Sequence, residues 1–406
     1  MVTEFVRTRV AIRTTKTAQK GFRPSAMGIC IGILILAPMP LRAEISGYIK
    51  SLWLSTETVI GERSRESYGL QRLRTTWRDT LNDFHVYLSY DLEWLSGGYL
   101  GTDQYELQQA LQESPYWHLQ RTWHERKDEE GRHGMYRGYL QYPIGAMDIR
   151  FGRQQLNWSR TFLWSSFDRF NPYNPLQIEP DERQGIDALQ LIYNFERGDS
   201  LELVAVPRHE NREDAGGLRY RTSYEYTDID LLIADYGEVT TAGVAMAGQW
   251  QDAGWKFETT HNSVQGESDS ATYQGKKEYQ DLVISLNYTL PSNTTFIGEV
   301  LYRGNGSQDS VKYDVSGYLA GNRTDLATRY LGLSVRHGFE PFANVSATVL
   351  FNVDDQSYAV GPMGSYAPGH MEDLYLRAGL HLFHGSTNSE FGSQGRLFFG
   401  EVQWFF

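Results

Sequence analysis

The segment Phe84-His85-Val86-Tyr87-Leu88-Ser89-Tyr90-Asp91-Leu92-Glu93-Trp94 decides how the chain is read. Phe84, Val86, Leu88, Tyr90, Leu92 and Trp94 alternate with His85, Tyr87, Ser89, Asp91 and Glu93. Successive strand side chains point to opposite faces, so period two gives one apolar and one polar face. The pattern recurs at Leu282–Leu290 and Leu374–Leu382. Alternation by itself suits any half-buried antiparallel sheet. Length narrows the choice: these runs span about 9–12 residues, as a tilted membrane strand does, against about 5–6 for an ordinary strand.

The connections point the same way. Short ones (79–82, 143–146, 197–199, 251–254, 291–293, 339–342) alternate with long ones (96–132, 154–186, 207–217, 263–277, 304–327, 384–395). Short turns at one end and long loops at the other are the pattern of outer-membrane barrels. Aromatics gather beside the short turns, at Trp77 and Phe84, Tyr193 and Phe195, Trp250 and Trp255, Tyr288 and Phe296, and Phe339 and Phe342. Rings prefer the headgroup level, so these read as an interfacial girdle. The expectation is all-β: one antiparallel transmembrane β-barrel over 44–406 with about 18 strands. Its weakest strand is 357–366, with Gly361 and Pro362, and sixteen strands remain possible.

Composition agrees. The 406 residues include 55 aromatics, and the mean hydropathy is −0.48. That is too polar for a helical bundle, which needs runs of about 20 apolar residues, and too aromatic for a disordered chain. A formal charge of −12 argues against nucleic acid as a partner. The one long apolar run, Met27–Met39, follows six basic residues between Arg7 and Arg23 and precedes Leu41-Arg42-Ala43. It reads as a secretory signal peptide over 1–43 rather than a membrane anchor. Its removal takes the only cysteine, Cys30, with seven bases and one acid, so the net charge moves from −12 to −18. No thiolate metal site and no cysteine nucleophile would survive, and no cofactor or metal is expected.

The last strand shows Phe398, Gly400, Val402, Trp404 and the terminal Phe406 on one face. This resembles the C-terminal signature of bacterial outer-membrane proteins, which implies recognition by the barrel-assembly machinery. It also implies an outer-membrane location with lipid around the wall.

Eighteen tilted strands enclose a width of roughly 35 Å, which wall side chains cannot fill. Function should then follow from lumen charge and constriction. Alternation turns Arg72, Arg74, Arg137, Arg150, Arg219, Arg221, Lys256, Arg303, Arg336 and Arg377 inward. It turns Asp91, Glu93, Glu202, Glu225, Glu258, Asp281, Glu299 and Glu401 inward as well. The ordinary reading of each is a solvated or wall-paired charge without individual importance. The candidate constriction is Arg153–Gly185, longer than ordinary connections. Trp158, Phe162, Trp164, Phe167, Phe170 and Tyr173 are too apolar for a freely solvated loop, and two Asn-Pro pairs stiffen it. Arg153, Arg160, Arg169 and Arg183 with Asp168, Glu179, Asp181 and Glu182 could line a polar eyelet. A packed external cap whose ions pair with each other reads the same residues equally well.

Phe151-Gly152-Arg153-Gln154 with Trp158, Phe167-Asp168-Arg169-Phe170-Asn171-Pro172, Asp181-Glu182-Arg183 and Gly185-Ile186-Asp187-Ala188 form a further pattern. It resembles porin-like outer-membrane proteins of the alginate-export type and related bacterial porins. That resemblance implies an 18-stranded barrel passing an anionic polysaccharide through an arginine-lined lumen. The near-balanced wall departs from it and suits a channel for small polar or organic solutes. An enzyme is not expected: no G-x-S-x-G elbow and no H-E-x-x-H spacing occurs. A barrel that sheaths a periplasmic partner is a third class, which no residue selects.

Overall fold

The computed structural model describes residues 43–406 except 112–114, 173, 180–181, 184, 209–213, 266–271, 320–322, 340, 370 and 372. The expected signal peptide therefore lies outside the described residues, as does Asp181.

Nineteen strands form one antiparallel sheet. The first five are β1 (Glu44–Glu57), β2 (Arg65–Leu81), β3 (Phe84–Ser96), β4 (Gln120–Arg126) and β5 (Glu129–Ile144). Next come β6 (Met147–Gln154), β7 (Ile186–Asn194), β8 (Ser200–Val206), β9 (Ala215–Tyr224) and β10 (Thr227–Asp235). Then follow β11 (Val239–Trp250), β12 (Ala253–Val264), β13 (Glu278–Leu290), β14 (Thr294–Arg303) and β15 (Arg329–Phe339). The last four are β16 (Ala343–Asn352), β17 (Tyr358–Tyr366), β18 (Leu374–His384) and β19 (Leu397–Phe405).

Eighteen of these make the wall. β3 pairs directly with β5, each later strand pairs with the next, and β19 returns to β1 over Tyr48↔Phe405 to Thr56↔Leu397. The barrel is closed, so no wall strand keeps an open edge. At the seam, the Gly47 amide donates to the Phe406 carbonyl at 2.9 Å and the Phe406 amide to the Gly47 carbonyl at 3.0 Å. A Cβ on Gly47 would stand 2.7 Å from the Phe406 ring and 2.2 Å from the Arg74 carbonyl, so only glycine fits the seam.

The alternation is realised as two environments. Ile45, Ile49, Trp53, Leu92, Ile233, Leu286, Leu331, Leu333 and Trp404 stand exposed on the outside, making the apolar belt a bilayer demands. Tyr48, Lys50, Leu52 and Leu54, one residue out of phase, are buried inside. Phe84, Tyr193, Phe195, Trp250, Tyr288, Phe296, Phe339 and Phe342 are exposed beside the short turns. Asn82 (φ 57°) and Asn293 (φ 60°) take the left-handed conformation their turns need.

The weak strand forms despite its proline. β17 pairs with β18 as Val360↔Leu382 and resumes at Met363↔Gly379, leaving Gly361 and Pro362 out of that register. The missing proline N–H falls where the ladder is interrupted. The strand absent from the sequence reading is β4. It pairs only with the outer overhang of β5, from Gln120↔Gly134 to Arg126↔Glu129. Most of its residues are exposed on both faces, so nothing imposes alternation. Before it, a nine-residue helix α1 (Asp103–Leu111) occupies the same long connection.

Candidate functional site

Between β6 and β7 lie the 31 residues Gln155–Gly185, whose described residues turn into the barrel and follow its inner wall. Their anchors are distributed around the circumference. Trp158, fully buried, donates its indole N–H to Glu202 on β8 at 2.8 Å, and Arg219 of β9 stacks over its ring at 5.4 Å. Arg160 holds Asp230 of β10 with two bonds, 2.7 and 2.9 Å, and reaches Asp228 at 3.2 Å. Leu163 and Trp164 lie where a side chain on Gly332 of β15 would be.

Two wall carboxylates hold the loop by its main chain. Glu258 of β12, fully buried, accepts the Arg160 amide at 2.5 Å and the Thr161 amide at 3.2 Å on one oxygen. Its other oxygen takes the Ser165 hydroxyl and the Ser166 amide, both at 2.9 Å, and the Phe167 amide at 3.4 Å. Glu299 of β14 accepts the amides of Phe162 (3.0 Å), Leu163 (3.1 Å) and Trp164 (2.7 Å). Lys256, also on β12, lies 3.3 Å over the Phe162 ring. Arg169 then bonds Tyr279 and Asp281 of β13 at 3.0 and 2.9 Å.

On the far side the polarity reverses: wall bases receive loop acids. Glu179 bridges Lys50 of β1 and Arg72 of β2 at 2.8 and 3.0 Å. Glu182 accepts the Tyr48 hydroxyl at 2.6 Å and pairs with Arg74. Burial works to raise the Glu182 carboxyl, but Arg74, the Tyr48 hydroxyl, Lys50 and Arg72 outweigh it and bring it down to about 2. The Arg183 carbonyl accepts the Tyr136 hydroxyl of β5 at 2.8 Å. Arg183 itself reaches Asp168 at 3.1 Å. Burial pushes the Asp168 carboxyl up to about 7, against the pull of Arg183.

Arg72, Arg74 and Arg377 are buried on the inner face and engaged by wall acids as well. Arg74 forks onto Asp91 (2.6 Å, twice), Arg72 meets Glu93 (2.6 Å), and Arg377 meets Glu401 (2.7 Å). Arg137 bonds Gln155 at 2.5 Å, while Arg150 bonds Gln141 at 3.1 Å and stacks on Tyr139 at 4.8 Å. Arg336 shares the inner face with Tyr330, is exposed, and makes no ion pair among the described residues. Phe398, Val402, Trp404 and Phe406 stand on the outer face, Phe398 half-buried under Arg65.

Two expected positions differ. Arg153 points away from the lumen. β6 runs to Gln154, so strand alternation puts Arg153 with Phe151, which is exposed on the outside. Arg153 forks onto Asp187 at 2.9 Å and donates to the carbonyls of Trp117 (2.5 Å) and Met135 (3.2 Å), beneath the segment leading into β4. Glu225 is not on the inner wall: β9 ends at Tyr224, and Glu225 occupies the turn with φ 52°. The contributions of Tyr48, Lys50 and Tyr136 went unmarked in the sequence, though period two places Tyr48 and Lys50 beside Leu52 on the inner face.

No family model matches this sequence, and no curated protein sequence does. Solved structures with the same architecture exist. OccAB4 of Acinetobacter baumannii superposes with a TM-score of 0.57 at 9% identity, covering 90% of this chain and 98% of that one. The outer membrane protein OprD of Pseudomonas aeruginosa gives 0.54 at 10%, covering 90% and 93%. OpdK of Pseudomonas aeruginosa, in a structure with vanillate, gives 0.53 at 12%, covering 90% and 98%. At such identities the likeness is one of fold.

Proposed function

We propose that this chain is an outer-membrane channel, in the bacterial outer membrane, for the passage of small polar or organic solutes. The observation that carries the reading is the long loop bonded to the inner wall from β8 round to β5, in an 18-strand barrel too wide to fill with its own side chains. A loop laid along the wall narrows a lumen and lends it polar groups, which is how a channel selects. Trp158, Arg160, Asp168, Arg169, Glu182, Arg183, Arg72, Arg74, Arg137, Arg150, Arg336 and Arg377 are the residues proposed to shape it, and Asp181 belongs with them by sequence. The likeness to the outer membrane protein OprD and to vanillate-bound OpdK supports this reading.

Export of an anionic polysaccharide is the less favoured alternative. A polyanion would need free cations, whereas Lys50, Arg72, Arg74, Arg219, Arg303 and Arg377 are each engaged by a carboxylate. The solved neighbours lend the alginate-export resemblance no support. The signal peptide over 1–43, assembly through the C-terminal strand, and a non-enzymatic role belong to the same proposal. Planar-bilayer recording on the refolded protein tests it. Stepwise conductance that changes when residues 158–180 are deleted is expected; no conductance, or conductance indifferent to that deletion, would overturn it.

A further inference from the structure

We propose that the ion pair between Asp168 and Arg183 is a crossbar that closes the loop into a ring within the lumen and sets the size limit of passage. This rests on the channel reading above and adds a residue pair that determines its selectivity.

The pair differs from the loop's other ion pairs. Arg160, Arg169, Glu179 and Glu182 each bind a charge on the wall, whereas Asp168 and Arg183 both belong to the loop. Among the described residues it is the one ion pair made entirely within the segment. Its two ends are tied to distant strands. The Asp168 amide donates to the Ser165 hydroxyl oxygen at 2.9 Å, and that hydroxyl donates to Glu258 of β12 at 2.9 Å. At the other end Tyr136 and Arg137 of β5 donate to the Arg183 carbonyl at 2.8 and 3.2 Å. Strands β5 and β12 stand seven places apart in the ring of eighteen, nearly opposite. On an ideal cylinder that chord is roughly 30 Å, and the 3.1 Å contact is where it is joined.

What lies on each side of the bar decides its role. Toward β7–β11, Trp158, Phe167 and Phe170 pack on Val204, Leu232 and Ala245, which leaves solid core. On the other side the chain leaves Asp168 past β13 at Arg169, and Glu179 and Glu182 meet β1 and β2 before Arg183. The bar therefore completes a closed ring of chain on that side. The bar itself is a single contact: one Asp168 oxygen takes Arg183 at 3.1 Å, and the Asn171 backbone also supports that carboxylate.

The test uses the refolded full barrel, with heat-modifiable gel migration identifying folded protein. D168N deletes one charge at nearly constant volume, R183Q deletes the other with a shorter side chain, and R183K keeps the charge while removing the guanidinium fork. Single-channel conductance should rise by about twofold or more in D168N and R183Q, because opening the ring enlarges the section it encloses. Liposome-swelling assays should show both variants admitting neutral sugars larger than the wild-type cutoff, with R183K close to wild type. If one substitution prevents folding, the other carries the test. D168N and R183Q barrels that conduct and exclude sugars as wild type does would overturn the crossbar and leave the channel reading standing. A silent wild-type barrel would instead overturn the channel reading.

Discussion

Replacing Glu258 by alanine isolates what holds the loop in the lumen. The carboxylate is fully buried on β12, and no lysine or arginine among the described residues lies within ion-pair distance. Its hydrogen-bond donors among the described residues all come from the loop. The three shortest are the Arg160 amide at 2.5 Å, the Ser165 hydroxyl at 2.9 Å and the Ser166 amide at 2.9 Å. Hydrogen bonds to charged groups contribute about 1.5–3 kcal/mol each, so the three sum to about 4.5–9 kcal/mol before compensation. Two terms reduce this: lumen water can reach the freed donors, and removing the carboxylate relieves the cost of burying it. Halving the gross figure leaves about 2–4 kcal/mol against docking, and with about 1.4 kcal/mol per decade the docked-to-undocked ratio falls by about 30- to 1,000-fold. The wall keeps its ladder, so the barrel should still show heat-modifiable migration. Limited trypsin digestion reads the loop directly, since Arg160, Arg169 and Arg183 are cleavage sites within it. Wild type should resist cleavage there, E258A should be cut rapidly, and E258Q, which retains one acceptor oxygen, should fall between. E258A with wild-type resistance and wild-type conductance would refute the idea that this carboxylate anchors the loop.

The outward placement of Arg153 makes R153M a contrasting case. Breaking its buried pair with Asp187 should cost about 3–5 kcal/mol of wall stability, seen as a lower urea midpoint, while conductance stays unchanged. A conductance change without loss of stability would return Arg153 to the lumen. Glu390, in the loop between β18 and β19, gives a pH prediction. Burial, reinforced by Asp325 and Asp355, pushes its carboxyl from an ordinary 4.5 up to about 8, against the bonds from Tyr330 (2.5 Å) and Asn352 (2.7 Å). The folded group keeps its proton where the unfolded one loses it. Its stabilising contribution is therefore fully present below about 4.5 and declines as pH rises toward about 8. Hydrogen exchange at the Leu326, Ala327 and Glu390 amides, corrected for intrinsic rates, should show protection falling over that window and flattening in E390Q. Protection that grows with pH would refute the assignment.

How much of this was legible beforehand follows from what each environment demands. Every wall strand separates a bilayer from a lumen, so period two is compulsory, and the eighteen expected segments match the eighteen wall strands. Even Gly361-Pro362 was tolerable, because the ladder has its gap there. β4 was invisible because its two faces meet similar surroundings. Arg153 was misplaced by taking it as the start of the loop when β6 holds it in strand phase with Phe151. The charges of the loop were visible, and whether they turned inward or outward was not. Many of the anchors that set its path are N–H groups, those of Arg160, Phe162, Leu163, Trp164 and Ser166, which every residue but proline possesses. A donor common to all residues leaves no mark in a sequence.

That same anonymity gives the lumen room to change. Where Glu258 and Glu299 grip the backbone, the side chains of residues 160–164 and 166 are not what is gripped. Substitution at the half-buried Thr161 or Phe162, proline excepted, keeps these main-chain bonds, whereas Arg160, Leu163 and Trp164 dock through their side chains as well. At those two positions selectivity and attachment are separate inheritances, and a designer could rewrite one without breaking the bonds to the two carboxylates.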